Sequence, residues 1–306
     1  MLGIGRGSRE GVISLDASIK NCGRTKQWSV ALRLLREGLR LGVQLFPGHY
    51  MATASACRNG GQWQHALSVL SDMWKAKLEP DVISYNAGIS ACEKGEQWQA
   101  ALALLSEMRE AKLEPDVISY SAGISACEKG EQWQAALALL SEMREAKLEP
   151  NVFSYNAGIS ACEKGEQWQR ALALLSEMWE AKLEPDVISY SAGISACEKG
   201  EQWQAALALL SEMREAKLEP NVFISYNAAI CASERCSQWR HAFSLLRVMR
   251  ERHVETNDIS YNLCITAYER SSRNLAGLSC YRCIGLSRFR ASCGALSVWE
   301  PAGEPL

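Results

Sequence analysis

Residues 82–116 read VISYNAGISACEKGEQWQAALALLSEMREAKLEPD, and the phrase restarts at Val117, Val152, Val187 and, with one extra residue, Val222. A period of 35 residues over four consecutive steps marks a solenoid, in which each unit buries its apolar face only against its neighbours. The period extends outward: Trp28, Trp63 and Trp98, and likewise Cys22, Cys57 and Cys92, are 35 residues apart. The chain therefore divides into a short segment (1–11), two degenerate units (12–46 and 47–81), five clear units (82–116, 117–151, 152–186, 187–221 and 222–257), a partial unit (258–275) and an irregular tail (276–306). The expected fold is all-α, an α-solenoid of about seven helical hairpins. Residues 117–151 and 187–221 are identical, which points to copying of a 70-residue block.

Within a unit, Asp81 is a good capping residue before Val82, and Tyr85, Ile89 and Cys92 fall at helical spacing, so a first helix runs from Val82 to near Gly95. A second runs from about Glu96 to Lys112. Its apolar residues Trp98, Leu102, Leu105 and Met108 advance by four, three and three along one face, Glu107, Glu110 and Lys112 lie opposite, and Pro115 ends the unit. The small residues Ala87, Gly88 and Ala91 let helices approach closely, and Trp98, Trp133, Trp168 and Trp203 are expected to be largely buried between helices.

The net charge of −2 hides an uneven distribution. Residues 1–46 carry eight Lys/Arg against three Asp/Glu, residues 47–234 carry 15 against 26, and residues 235–306 carry ten against six. No apolar run reaches the roughly 18 residues of a membrane span and no signal-peptide core is visible, so a soluble protein without a membrane partner is expected. The first 11 residues are too few for an organelle transit peptide ahead of the first unit. Cys22, Cys57, Cys92, Cys127, Cys162 and Cys197 share one register, which suits buried packing residues in a reducing compartment better than disulfides.

A tetratricopeptide-like protein-binding scaffold would have a unit of about 34 residues. The period here is 35, and the unit ends on Glu-Pro-Asp or Glu-Pro-Asn, opens on Val-x-Ser-Tyr-Asn or Val-x-Ser-Tyr-Ser, and continues with Ile, Ala-Cys, Lys-Gly, Ala-Leu and Glu-Met. That phrase resembles the P-type pentatricopeptide repeat (PPR) family, over about residues 12–275 and most specifically over 82–257. The resemblance implies a right-handed superhelix that binds single-stranded RNA, one base per repeat, in a groove lined by the first helices.

The family's base choice rests on the fifth and last residues of a unit. By that resemblance Asn86 with Asp116 reads uracil, Ser121 with Asn151 adenine, Asn156 with Asp186 uracil, Ser191 with Asn221 adenine, and Asn227 with Asn257 a pyrimidine, a core of about 5′-UAUAY-3′. Ile83, Ile118, Phe153, Ile188 and Phe223 match the residue that stacks between bases, and Lys94, Lys129, Lys164 and Lys199 match a backbone-phosphate contact. Each position has a plainer reading. The Asp and Asn residues are good helix caps, the lysines balance the neighbouring Glu93 and its copies, and the Ile/Phe series suits inter-repeat core. Asp16 with Phe46 and Met51 with Asp81 fit no base, and the extra Ile224 threatens the register of Phe223 and Asn227.

No catalytic centre emerges. None of His49, His65, His241 and His253 combines with Glu and Cys-x-x-Cys in the order a zinc deaminase needs, and Cys280, Cys283 and Cys293 lack a fourth ligand in matching spacing. No enzyme activity, metal, cofactor or small-molecule substrate is expected. By resemblance, the expected role is RNA processing, stabilisation or translation in a mitochondrion or chloroplast, with single-stranded RNA as partner and a recruited RNA-processing protein as a second.

Overall fold

The computed structural model describes residues 17–19, 21–22, 25–219, 222–254 and 256–274, and among these every regular element is helical. The chain forms two compact units, Met1–Ala229 and Ile230–Leu306. In the first, each repeat is a pair of 13-residue helices: Val82–Lys94 with Trp98–Glu110, Val117–Lys129 with Trp133–Glu145, Val152–Lys164 with Trp168–Glu180, and Val187–Lys199 with Trp203–Glu215. The degenerate units keep this plan in Pro47–Asn59 with Trp63–Lys75, and in Trp28–Arg40 preceded by helical residues at 17–19 and 21–22. Successive first helices pack directly on one another, and each second helix from Trp63–Lys75 to Trp168–Glu180 packs on its own first helix and on the next one. The hairpins thus stack into a solenoid.

Local chemistry sets the helix ends. Asp81, Asp116, Asn151 and Asp186 each accept a hydrogen bond from the backbone N–H of the serine three residues on, at 2.9 Å. The first helices end at Gly95, Gly130, Gly165 and Gly200, whose φ values of −80 to −89° any residue adopts. The left-handed residues are the next ones, Glu96, Glu131, Glu166 and Glu201, with φ of 55 to 58°. Glycine is required one residue earlier for a different reason: a Cβ on Gly130 would lie 2.3 Å from Trp98 Cδ1 of the preceding unit. Trp98, Trp133 and Trp168 each lie over the glycine that ends the next first helix, and these three and Trp203 are half-buried, not the largely buried core residues expected. The apolar stripe of the second helix is also rotated. Ala101, Leu104, Leu105 and Met108 are buried, while Leu102 is only half-buried.

The close approach expected of the small residues is present. A Cβ on Gly88 would lie 2.6 Å from Leu70 Cδ1 and 3.1 Å from Leu104 Cδ1, so the mid-helix glycine is held by leucines from two units. Cys57, Cys92, Cys127, Cys162 and Cys197 are free and buried, and burial pushes the Cys127 thiol up to about 11 and that of Cys197 to about 12. They are inert packing groups.

Ile224 is absorbed locally. Val222–Tyr226 forms one π-helical turn, and beyond it Ser225, Tyr226 and Asn227 regain their register: Asn227 is 8% exposed, as are Asn86 and Asn156. Asn227 is therefore not displaced; Ile224, 48% exposed, stands directly before the serine where Phe153 and Ile188 stand in their units. Deleting Ile224 should restore a regular turn, with circular dichroism unchanged and stability raised by roughly 1 kcal/mol, the scale of one regained hydrogen bond. A lower unfolding midpoint would show that the π turn is the relaxed form. In the second compact unit, Trp239–Glu251 packs against Asp258–Asn274 through an edge-on contact of Trp239 with Tyr268, and Arg270 pairs with Glu234 at 3.0 Å.

Candidate nucleic-acid interface

The fifth and last residues of a unit are 30 apart in sequence and meet because the last residue caps the next first helix. Asn86 Nδ2 donates to Asp116 Oδ1 at 3.0 Å, and Asn156 Nδ2 to Asp186 Oδ1 at 3.1 Å. Ser119 Oγ lies 2.5 Å from Asn86 Oδ1, and Ser189 Oγ 2.6 Å from Asn156 Oδ1, so both ends of each amide are held and its orientation is set. The serine-opening units differ. Ser121 Oγ meets Ser154 Oγ at 2.7 Å, and Ser154 in turn donates to Asn151 Oδ1 at 3.0 Å, so hydroxyl and closing amide are joined through one intervening serine. Ser191 meets Ser225 in the same way at 2.9 Å; Asn221 lies outside the described residues.

This serine, third in each unit, was not singled out in the sequence. Its signal is its presence at Ser84, Ser119, Ser154 and Ser189; all four bond the capping residue, and Ser119, Ser154 and Ser189 also bond the fifth residue of the preceding unit. Capping and base reading are also compatible in geometry. Every hydrogen bond to the Asp116 carboxylate among the described residues goes to Oδ1, which leaves Oδ2 for another donor. Burial pushes the Asp116 carboxyl up, but the hydrogen bonds from Ser119, Asn86 and Ile118 outweigh it and hold the group below the usual range, as they do at Asp186. A lowered carboxylate favours folding above its unfolded pKa. That contribution disappears as the pH falls through the folded value, so both acceptors stay ionised at neutral pH.

Ile83, Ile118, Phe153 and Ile188 are 56 to 66% exposed, which removes the inter-repeat-core reading; the Phe223 side chain lies outside the described residues. The lysines behave differently. Lys129 Nζ lies 2.6 Å from Glu93, Lys164 2.6 Å from Glu128 and Lys199 2.7 Å from Glu163, so each pairs with the glutamate of the preceding unit rather than with its sequence neighbour. Lys94 has no ion-pair partner among the described residues. No group of three His, Cys, Asp or Glu residues that could hold a metal occurs among the described residues, and Cys280, Cys283 and Cys293 lie outside them. Among the described residues no helix is long and apolar enough to cross a membrane.

Family models cover most of this array. One described as the PPR repeat family matches residues 80–129, 115–164 and 150–199, one described as a pentatricopeptide repeat domain matches 33–95, and one described as a PPR repeat matches 188–218 and 224–254. No curated protein matches the chain. Among solved structures, the pentatricopeptide repeat protein PPR10 from maize superposes with a TM-score of 0.53 at 20% identity, over 87% of this chain and 48% of that one. PPR10 in complex with an 18-nt psaJ RNA element gives 0.52 at 22%, over 85% and 47%. The PPR domain of Arabidopsis thaliana protein-only RNase P 1, in complex with tRNA, gives 0.50 at 13%, over 55% and 89%. The chain thus spans about half the length of the maize protein, and the likeness concerns the fold.

Proposed function

The chain belongs to the pentatricopeptide repeat family, and on that premise we propose that it binds single-stranded RNA by reading one base per unit, with a core of about 5′-UAUAY-3′. The observation that carries this reading is the polarity of the closing residue. Beside Asn86, whose second Nδ2 hydrogen is uncommitted, Asp116 Oδ2 offers an acceptor; a donor next to an acceptor matches O4 and N3–H of uracil. In the next unit Asn151 spends Oδ1 on the cap and keeps its amide N–H groups, and the Ser121 hydroxyl can accept. That set matches N1 and N6–H of adenine. The alternation of carboxylate and amide at a shared position therefore inverts what the ring nitrogen must present.

Ile83, Ile118, Phe153, Ile188 and the exposed Ile224 supply apolar surfaces for stacking between successive bases. The two PPR structures above that contain RNA support an RNA ligand for this array. The protein acts without catalysis, masking a segment or recruiting a processing protein in organellar RNA processing, stabilisation or translation. A protein-binding scaffold is the competing reading, favoured by Trp74 and Trp179, which stand half-exposed on second helices.

Duplex formation occupies the base edges, so single-stranded UAUAY RNA should bind while the same sequence in a duplex does not. Electrophoretic or fluorescence titration of the two forms measures this, and equal binding would rule out base reading. Because the middle of the array is acidic and three lysines are internally paired, the slope of log affinity against log salt should be shallow. A magnitude below about 3 corresponds to four or fewer phosphates at roughly 0.7 each for a single strand.

A further inference from the structure

Four repeat junctions share one register near the ends of the second helices, held by Trp74, Arg109, Arg144 and Trp179 at steps of 35 residues. The two arginines are spent inside the array. Each guanidinium stands over the tyrosine of the next first helix, 5.8 Å from the centroid of Tyr120 and 5.7 Å from that of Tyr155, and donates to its hydroxyl at 3.3 Å. Each also pairs with a glutamate of the next second helix, Arg109 with Glu142 and Arg144 with Glu177.

At Trp74 and Trp179 the tyrosine keeps a donor but the glutamate loses its cation. The indole N–H bonds the equivalent hydroxyl, that of Tyr85 or Tyr190. Glu107 and Glu212 hold the glutamate register, are exposed, and have no ion-pair partner among the described residues. They lie close to the same tyrosines. Burial, and then the charges of Glu107 and Glu110, push the Tyr85 hydroxyl up against the bond from Trp74, and burial with Glu212 and Glu215 does the same at Tyr190 against Trp179. Through that shared hydroxyl each indole, 48% exposed at Trp74 and 50% at Trp179, stands beside carboxylates of the next unit.

An exposed aromatic face next to unpaired carboxylates suits a cation. The arginine junctions show which cation these surroundings accept: a planar guanidinium that meets an aromatic ring and a carboxylate together. Charge favours the Trp179 junction most, because its neighbour is Glu180 where Trp74 has Lys75. We infer that Trp74 with Glu107, and Trp179 with Glu212, form two docking sites for arginine side chains of a basic segment of a partner protein, each guanidinium stacking on the exposed indole and pairing with the glutamate. The sites involve none of the base-reading residues and serve a partner of an RNA binder or of a scaffold alike, so their test makes no use of RNA.

Trp74→Arg with Trp179→Arg tests the sites in the full chain, because it installs the pairing already present at Arg109 and Arg144 and satisfies each glutamate from within. A fluorescently labelled hexa-arginine peptide, followed by anisotropy at physiological salt, should bind the parent. The variant should bind it at least about fivefold more weakly, the scale of an exposed cation–π contact with an exposed ion pair. Gln99→Arg with Gln169→Arg adds the same charge at other exposed positions of second helices and should weaken binding by less than about twofold. No binding to the parent, or equal losses in the two variants, overturns the sites. Should the first variant fail to fold by circular dichroism, Glu107→Gln with Glu212→Gln keeps both rings, makes the same change in net charge and carries the same expected loss. Self-association of the parent that the first variant abolishes, measured by sedimentation, would put a second copy of this chain on the face and overturn a separate partner.

Discussion

Exchanging Asn86→Ser together with Asp116→Asn should move the base preferred at the first position of the core from uracil to adenine. The expected discrimination is about 1 to 3 kcal/mol, roughly five- to 150-fold in relative affinity. The variant reproduces an arrangement already present one unit later. Asn151 caps its helix through Oδ1 to Ser154 N at 2.9 Å, the bond and distance that Asp116 makes to Ser119, so the cap survives the exchange. Ser121 reaches Ser154 as a serine at 86 would reach Ser119. What changes is the free valence at the closing position, from a carboxylate oxygen to amide N–H groups. Fluorescence competition with RNAs differing only at that base measures the outcome. Unaltered preference with unaltered folding would reduce both residues to helix caps and favour the scaffold reading.

The second large effect concerns the repeat junction. Gly130→Ala should destabilise the protein by about 1 to 3 kcal/mol, the range for overpacking, because the new methyl meets the root of the Trp98 ring and not a flexible tip. The built Cβ lies 2.3 Å from Cδ1, 2.8 Å from Cγ and 3.1 Å from Cβ of that tryptophan. Trp98→Ala alone should cost up to about 3 kcal/mol, the low end for aromatic truncation, since the ring is only half-buried. Removing the ring removes the clash, so the double variant should be less destabilised than the sum of the single ones, by a coupling of about 0.5 to 3 kcal/mol. Denaturant unfolding of the four proteins measures it. Strict additivity would show that the two residues do not share the contact.

Signals that act within one unit are legible in the sequence, and signals that act between units are not. The period, the hairpin and the Asp/Asn caps follow from spacing within one unit, where helical periodicity and cap preference act over three or four residues. Contacts between units leave no such spacing. The pairing of Lys129 with Glu93 joins residues 36 apart, and the sequence presented Glu128 as the nearer partner. Gly95 reads as an ordinary helix stop, yet its left-handed neighbour is Glu96 and the glycine answers to Trp63 of the previous unit. Gly61, which occupies the left-handed position with φ of 71° in a degenerate unit, marks where glycine would normally fall. Insertion of Ile224 was visible as a count, but its effect depended on whether the helix or the register of Asn227 would yield. The buried Ser225, bonded to Ser191 of the preceding unit, and the buried Asn227 kept their places, and the first turn of the helix took the extra residue as a π turn.

Selection of bound sequences from a random single-stranded RNA pool tests base reading by this array most directly. Enrichment of U-A-U-A followed by a pyrimidine, in unpaired segments, is the predicted result. Recovery of no common sequence, or of segments in which those five positions are paired, would contradict it.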